Sequence, residues 1–130
     1  MSQHPPAGPP PWGPPLPAPP LRPDEERTWA ILAHVLPLLS LGFVPPLVLW
    51  LVFRGRGPFL EHHAKESLNF QLASLLALVV SGVLLVVTFG LASPVLFGLL
   101  VVWVVLGVLA AVAASRWEWY RYPLTIRFIA

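Results

Sequence analysis

The sequence contains no cysteine among its 130 residues. This absence excludes disulfide bonds, thiolate metal sites and cysteine nucleophiles. Charged side chains are also scarce, at 11% of the chain, and two long stretches have none. Residues 67–115 contain no Asp, Glu, Lys or Arg. Residues 28–53 contain none either, and His34 is their only titratable side chain. Because long uncharged apolar runs are stable in lipid, the sequence predicts an integral membrane protein.

Several functional motifs are missing as well. The chain has no His-Glu-x-x-His pattern, no Ser/His/Asp set and no glycine-rich phosphate loop. It also has no Lys/Arg stripe with interleaved aromatics, which argues against a nucleic-acid partner. We therefore predict a protein that is not an enzyme, with no catalytic, metal or cofactor residues.

Proline is concentrated at the start of the chain, where residues 1–23 hold eleven of the seventeen prolines. Proline lacks an amide donor and fixes φ, so this stretch can form neither a helix nor a sheet ladder. We predict a disordered proline-rich tail over 1–23 and a helical membrane domain over 24–130.

The first apolar block is broken by prolines. Asp24 has the character of an N-cap for a helix over about 25–41, which Pro37 should kink. Gly42 and the pair Pro45-Pro46 interrupt the block again, and Val44 before proline should be extended, so a second helix is predicted over about 46–54. The block is either one broken span, about 37 Å over residues 29–53, or a re-entrant pair of short helices.

Two full spans follow a polar hinge at residues 54–71. Helices are predicted over about 60–89 and 94–116, joined as a hairpin in which Gly90 ends one helix and Ser93 caps the next. The aromatic residues after Arg116 are typical of an interfacial belt: Trp117, Trp119, Tyr120 and Tyr122. The predicted fold is an all-α membrane bundle of about four helical segments.

The distribution of cations predicts the orientation. The hinge carries Arg54, Arg56 and Lys65, and the C-terminal stretch carries three further arginines, whereas the hairpin at 90–94 carries no cation. Under the positive-inside rule, the hinge at 54–66 and the C-terminus are cytoplasmic in a bacterial cytoplasmic membrane. We place the N-terminus on the same side, although its own charges leave this ambiguous.

His34 is the candidate functional residue within the first apolar block. An ionisable side chain in an apolar helix is a functional hypothesis by default, here as a metal or haem ligand or a proton relay. The alternative is a neutral imidazole that is hydrogen-bonded to Asn69, to Gln71 or to a carbonyl freed by Pro37.

The hinge supplies the other candidates. His62, Glu66 and Asn69 share one face of a helix, and Glu61 and Lys65 form an i,i+4 ion pair. A metal site with His62, His63 and Glu66 would have too few usable ligands, because adjacent histidines diverge by about 100° on a helix. The favoured interpretation is the polar start of a helix, facing headgroups and water.

Three segments together resemble the Tic-twenty-like family of small bacterial membrane proteins, which is related in pattern to a chloroplast protein-import component. They are residues 26–34, 61–71 and 120–129, within a match over about 25–129. The resemblance implies two short helices in the first block, both ends in the cytoplasm, and no agreed chemistry. The family's motif residues would fall on His34, Glu61, His62, Lys65, Glu66, Asn69 and Gln71.

Three functions remain open from the sequence. The leading hypothesis is a non-enzymatic scaffold, accessory subunit or translocation-related component that contacts the lipid bilayer and other membrane proteins or itself. The alternatives are a haem- or metal-binding protein that uses His34, and an oligomeric transporter of small solutes.

Overall fold

The computed structural model describes residue 8 and residues 12–14, 18–123 and 125–129, without the side chains of residues 40 and 41. The described residues form four α-helices and no strand: α1 (Pro23–Leu36), α2 (Val44–Phe53), α3 (Pro58–Val87) and α4 (Ser93–Ser115). A π-helix (Pro37–Leu41) continues α1. The predicted all-α membrane bundle of about four segments is confirmed. Most of the proline-rich tail lies outside the described residues, so its predicted disorder stays a prediction.

The start of α1 differs from the prediction by two residues. Arg22, rather than Asp24, is the N-cap, and Pro23 takes the first helical position. The backbone N–H of Arg22 donates to Glu25 Oε2 at 3.3 Å, so the carboxylate three residues on closes the first turn. Proline suits this position because its missing N–H would have had no partner within the helix.

The prolines of the first block act differently from expectation. Pro37 begins the π-helical turn, so the missing hydrogen bond widens the helix without ending it. The chain reverses at Gly42, whose φ of 58° is a left-handed value that glycine adopts without strain. Val44 is already helical, because it and the two prolines after it occupy the first turn of α2, where backbone N–H groups need no helical partner.

The first block is an antiparallel pair of helices. Trp29, near the start of α1, packs on Phe53, at the end of α2, with ring centroids 5.1 Å apart. Ala33 of α1 and Leu49 of α2 lie in one buried cluster with Ala64 of α3. Because the start of one helix meets the end of the other, α1 and α2 run antiparallel. A single broken span is thereby excluded, and the start of α1 lies beside the hinge.

Glu26 joins α1 to the beginning of α3. Its Oε1 accepts hydrogen bonds from the backbone N–H groups of Phe59 and Leu60, at 2.8 and 3.1 Å. A carboxylate at this position satisfies two otherwise unpaired amides and complements the positive end of the helix dipole. Gly57 allows the approach, since a Cβ there would lie 2.6 Å from the same oxygen.

The helices α3 and α4 are the two that are long and apolar enough to cross a membrane. Only 17% and 11% of the residues in their most apolar windows are buried within the protein. The core helix of a soluble protein would be mostly buried, so these faces are suited to lipid. The last span packs on the first block through small residues: a Cβ at Gly107 would lie 2.9 Å from Leu38 Cδ2.

The turn between the spans begins earlier than predicted. The first span ends at Val87, and the N–H groups of Phe89 and Gly90 return to the carbonyls of Val86 and Leu85. This is a Schellman motif, with Phe89 at the left-handed position (φ 51°). The cap of α4 is Ala92 rather than Ser93, which is the first helical residue.

A second Schellman motif ends α4 and sends the C-terminal segment, residues 118–123 and 125–129, back along α3. The N–H of Trp117 returns to Ala114 O at 3.2 Å, and the N–H of Glu118 returns to Ala113 O at 2.9 Å. Trp117 has a φ of 61°, an uncommon value for a bulky residue. Its ring packs on Phe59 with centroids 4.9 Å apart, a contact that helps to hold the reversal.

Candidate functional site

A buried chain of hydrogen bonds joins α1, α3 and the C-terminal segment. His34 Nδ1 lies 2.8 Å from the Tyr122 hydroxyl, and His34 Nε2 lies 2.8 Å from His63 Nδ1. At its far end, His63 Nε2 lies 2.8 Å from the carbonyl oxygen of Glu118. The three side chains are at most 2% exposed.

The last carbonyl fixes the direction of this chain for neutral rings. A carbonyl only accepts, so His63 Nε2–H must donate to Glu118 O, which leaves His63 Nδ1 as an acceptor. His34 Nε2–H then donates to His63 Nδ1, and His34 Nδ1 accepts from the Tyr122 hydroxyl. Both nitrogens of each ring are therefore used, and neither histidine has a lone pair left for a metal or haem iron.

The predicted polar face of α3 holds the C-terminal segment. We call His62, Glu66 and Asn69 the ladder. His62 Nε2–H donates to the backbone carbonyl of Tyr120 at 2.7 Å. Glu66 accepts from the N–H of Tyr122 at 3.1 Å and is ion-paired with Arg127. Asn69 exchanges two hydrogen bonds of 2.8 Å with the backbone of Ile129.

The ladder therefore faces protein, where headgroups and water had been expected. The spacing i, i+4, i+7 aligned the three residues as predicted, and the segment they bind arrives from the far end of the chain. Glu66 and Asn69 are buried because that segment covers them. Their role in the fold is to satisfy backbone groups of a segment that has no regular secondary structure of its own.

The other three predicted residues lie around this arrangement. Glu61 and Lys65 form the predicted ion pair, with Lys65 Nζ 3.3 Å from Glu61 Oε1. Gln71 accepts a hydrogen bond of 3.0 Å from the indole N–H of Trp103 on α4. The partners of His34 in the described structure are Tyr122 and His63, so the suggested pairing with Asn69 or Gln71 is wrong.

Sequence reasoning missed the actual partners of His34. His63 was considered only as a poor metal ligand, and Tyr122 was assigned to an interfacial belt. Tyr122 is instead buried, and its ring stacks on Phe70 with centroids 4.0 Å apart and planes 6° apart. Burial raises the pKa of the Tyr122 phenol well above its ordinary value, and the nearby Tyr120 and Glu66 act in the same direction. Nothing in the neighbouring residues Trp119, Tyr120 and Arg121 distinguishes Tyr122 from an interfacial residue, so the sequence offered no signal for its burial.

The chemistry open to this site is restricted. Within the described residues, no group of three or more His, Cys, Asp or Glu side chains could hold a metal ion together. The buried histidines donate and accept within the protein, and each is at most 1% exposed. Together with the two apolar spans, this site defines a small helical membrane protein whose internal polar network fixes its C-terminal segment.

The comparisons assign this membrane protein to a family. The model of the magnetosome magnetite crystal formation protein family, MamF/MmsF, matches residues 25–129. This match covers the C-terminal segment and all four helices apart from the first two residues of α1, and the chain belongs to that family. No curated protein and no solved structure matches the chain.

The family match corrects the resemblance drawn from the sequence. Residues 26–34, 61–71 and 120–129 all lie within the part matched by the MamF/MmsF model, so the assignment to a Tic-twenty-like family is wrong. The physical reason lies in what these motifs do here. They are the segments that contact one another through His34, the ladder and Tyr122, so in this chain they serve its packing. The suggested link to protein translocation rested on that resemblance and falls with it.

Proposed function

We propose that this chain is a non-enzymatic accessory protein of a bacterial membrane, and that it works by contact between its ordered C-terminal segment and other membrane proteins. One observation carries the proposal: the seven candidate polar residues are all engaged within the protein. An enzyme needs a reactive group that faces substrate. Here the polar groups maintain a shape, which suits a protein that acts through its surface.

The topology belongs to the same proposal. The beginning of α1, the hinge and the C-terminal segment lie at one end of the bundle, since Glu26 bonds α3 and the ladder bonds the backbone of residues 120, 122 and 129. That end carries the cations of the hinge and of the C-terminal segment, so we assign it to the cytoplasm. The chain would then be multi-pass, with two full spans, one re-entrant pair and its N-terminus in the cytoplasm.

The family description names magnetite crystal formation, and the charge distribution bears on what this chain could contribute to such a process. In the proposed topology the turn at 88–92 is the connection on the far side of the membrane, and it contains no charged residue. Binding to an iron mineral surface would be expected to use carboxylates. We therefore favour a role exerted from the cytoplasmic end over direct contact with a mineral.

Photo-crosslinking in cells tests the proposal at two exposed aromatic positions. A photoreactive residue at Trp119, which is 56% exposed at the cytoplasmic end, should give discrete protein adducts. The matched control is Phe89, which is 98% exposed in the opposite turn and should give none. Absence of adducts at Trp119, together with a monomer that purifies alone in several mild detergents, would refute the accessory role.

Cysteine labelling tests the topology separately. The native chain has no cysteine, so each probe is unique. An impermeant maleimide should label Phe89→Cys in intact cells and Arg116→Cys only after lysis. The reverse pattern would overturn the orientation without touching the contact hypothesis.

The two other hypotheses have less support. A haem or metal role for His34 would require breaking one of its two hydrogen bonds of 2.8 Å in a buried site. A visible spectrum with a Soret band, or stoichiometric metal in the purified protein, would revive it. A solute path would need polar groups along the spans. In the part of α3 that follows Gln71, and in α4, the polar side-chain groups are a few serine hydroxyls and the Trp103 indole.

A further inference from the structure

A charged cleft of about 470 Å³ opens between the first turns of α3 and the C-terminal segment. Pro58 and Ile129 provide its apolar surface. Six side chains form its polar walls: Glu61, His62, Lys65, Glu66, Arg121 and Arg127. The ladder and the ion pairs hold five of these side chains, and Arg121 lies on the segment that the ladder binds, so the cleft is built by the same contacts that order the C-terminal segment.

The charges of the cleft do not cancel. Glu61 is paired with Lys65 at 3.3 Å, and Glu66 is paired with Arg127. Arg121 is exposed, and within the described residues no carboxylate lies at salt-bridge distance from its guanidinium. Three cations face two carboxylates, which leaves an excess of one positive charge at Arg121.

The cleft lies at the border between the polar and the apolar part of α3. Glu66 is the last charged residue of that helix, and the uncharged run continues from residue 67 through the end of α4. Trp119 is more than half exposed nearby, on the same segment as Arg121. Such a border with an exposed indole is where the lipid phosphates of a bilayer lie.

We propose that this cleft binds the phosphodiester headgroup of an anionic phospholipid, with Arg121 as its main cation. A guanidinium binds phosphate oxygens through two parallel hydrogen bonds, and Lys65 and Arg127 keep N–H groups beyond those used by their carboxylates. The single excess charge matches the single charge of a phosphodiester. A free phosphate with a charge of about −1.5 to −2 would be opposed by Glu61 and Glu66 without enough compensation.

Native mass spectrometry of the delipidated full chain in detergent tests this site. Phosphatidylglycerol, phosphatidylethanolamine and inorganic phosphate are the three probes. We expect one phosphatidylglycerol to bind in preference to the other two. Arg121→Gln should weaken that binding about fivefold, since one cation near the surface contributes about 1 kcal/mol. Arg121→Lys should retain most of it.

The matched control is Arg116→Gln, which removes an equal charge from an exposed arginine after α4 that does not line the cleft. It should leave phosphatidylglycerol binding unchanged. Equal weakening by both variants would mean that net charge, rather than the cleft, attracts the lipid, and would overturn the site. Equal binding of inorganic phosphate would overturn the lipid assignment, and so would equal binding of phosphatidylethanolamine. Size-exclusion profiles of the variants establish that each is folded before binding is compared.

Discussion

Tyr122→Phe removes a single oxygen, the hydroxyl that begins the buried hydrogen-bond chain. The ring remains, so the stacking on Phe70 at 4.0 Å is kept and no large cavity is created. His34 Nδ1, which accepts from the Tyr122 hydroxyl at 2.8 Å, is left without its donor in a side chain that is 1% exposed. Leaving a buried acceptor unpaired costs about 1–3 kcal/mol, and we expect the free energy of unfolding to fall by that amount.

A tautomer change cannot relieve this loss. If His34 moved its proton to Nδ1, its Nε2 would face His63 Nδ1 as acceptor against acceptor. Moving the proton of His63 as well would oppose His63 Nε2 to the carbonyl oxygen of Glu118. Each rearrangement exchanges one unpaired group for another, so the full cost is expected.

Tyr120→Phe is the matched control. Tyr120 is a half-buried tyrosine on the same segment, and its hydroxyl makes no hydrogen bond within the described residues. It should cost less than about 0.5 kcal/mol. Reversible unfolding in detergent micelles, followed by tryptophan fluorescence and by circular dichroism, gives both values when the two probes coincide. Equal stabilities of the Tyr122→Phe and Tyr120→Phe variants would refute the directed chain.

Three further predictions concern the same contacts. The free energy of unfolding of the wild type should fall above about pH 10, and Tyr122 should contribute at most about 1.4 kcal/mol per pH unit to that fall. The pKa of the Tyr122 phenol is raised in the folded state, so the unfolded state loses the phenolic proton at lower pH. Alkaline unfolding of Tyr122→Phe should lack this contribution. Gly57→Ala should destabilise by about 1–3 kcal/mol, since its Cβ would meet Glu26 Oε1 at 2.6 Å, and adding Glu26→Ala should make the two costs less than additive in the same unfolding assay. Asn69→Leu should release Ile129 from both of its hydrogen bonds of 2.8 Å and speed backbone hydrogen exchange over the C-terminal segment, whereas unchanged exchange would contradict the ladder.

The sequence predicted the parts of the fold that depend on local patterns. The uncharged runs indicated α3 and α4, and the spacing of Glu61 and Lys65 indicated their ion pair, because both signals are carried by neighbouring residues. The antiparallel packing of α1 and α2 was left open, since it depends on the contact between Trp29 and Phe53 across the turn. The periodicity of apolar residues within a helix does not indicate which face of another helix it packs against.

The candidate site was harder to predict from the sequence, because it too depends on contacts between residues that are far apart in the chain. His34 was recognised because it is unusual in its own helix, but its partners lie 29 and 88 residues away in the chain. Tyr122 is of a residue type common at membrane interfaces, but it lies in the environment of a core residue. That environment is created by the turn at Trp117, which has an uncommon φ of 61°. A bulky residue at a left-handed position gives no sequence signal comparable to that of glycine.

The arrangement of charges separates what holds the protein together from what it can offer to a partner. Glu26, Glu61 and Glu66 are each committed to an internal bond, so few free carboxylates remain at the end of the bundle that holds the hinge and the ladder. The C-terminal segment presents Arg121 and Trp119, which are both exposed. If the ladder is what fixes those two side chains, Asn69→Leu should reduce crosslinking from Trp119 and phosphatidylglycerol binding together, whereas Arg121→Gln should reduce only the lipid binding. An Asn69→Leu variant that retains both properties would mean that the segment acts without being ordered.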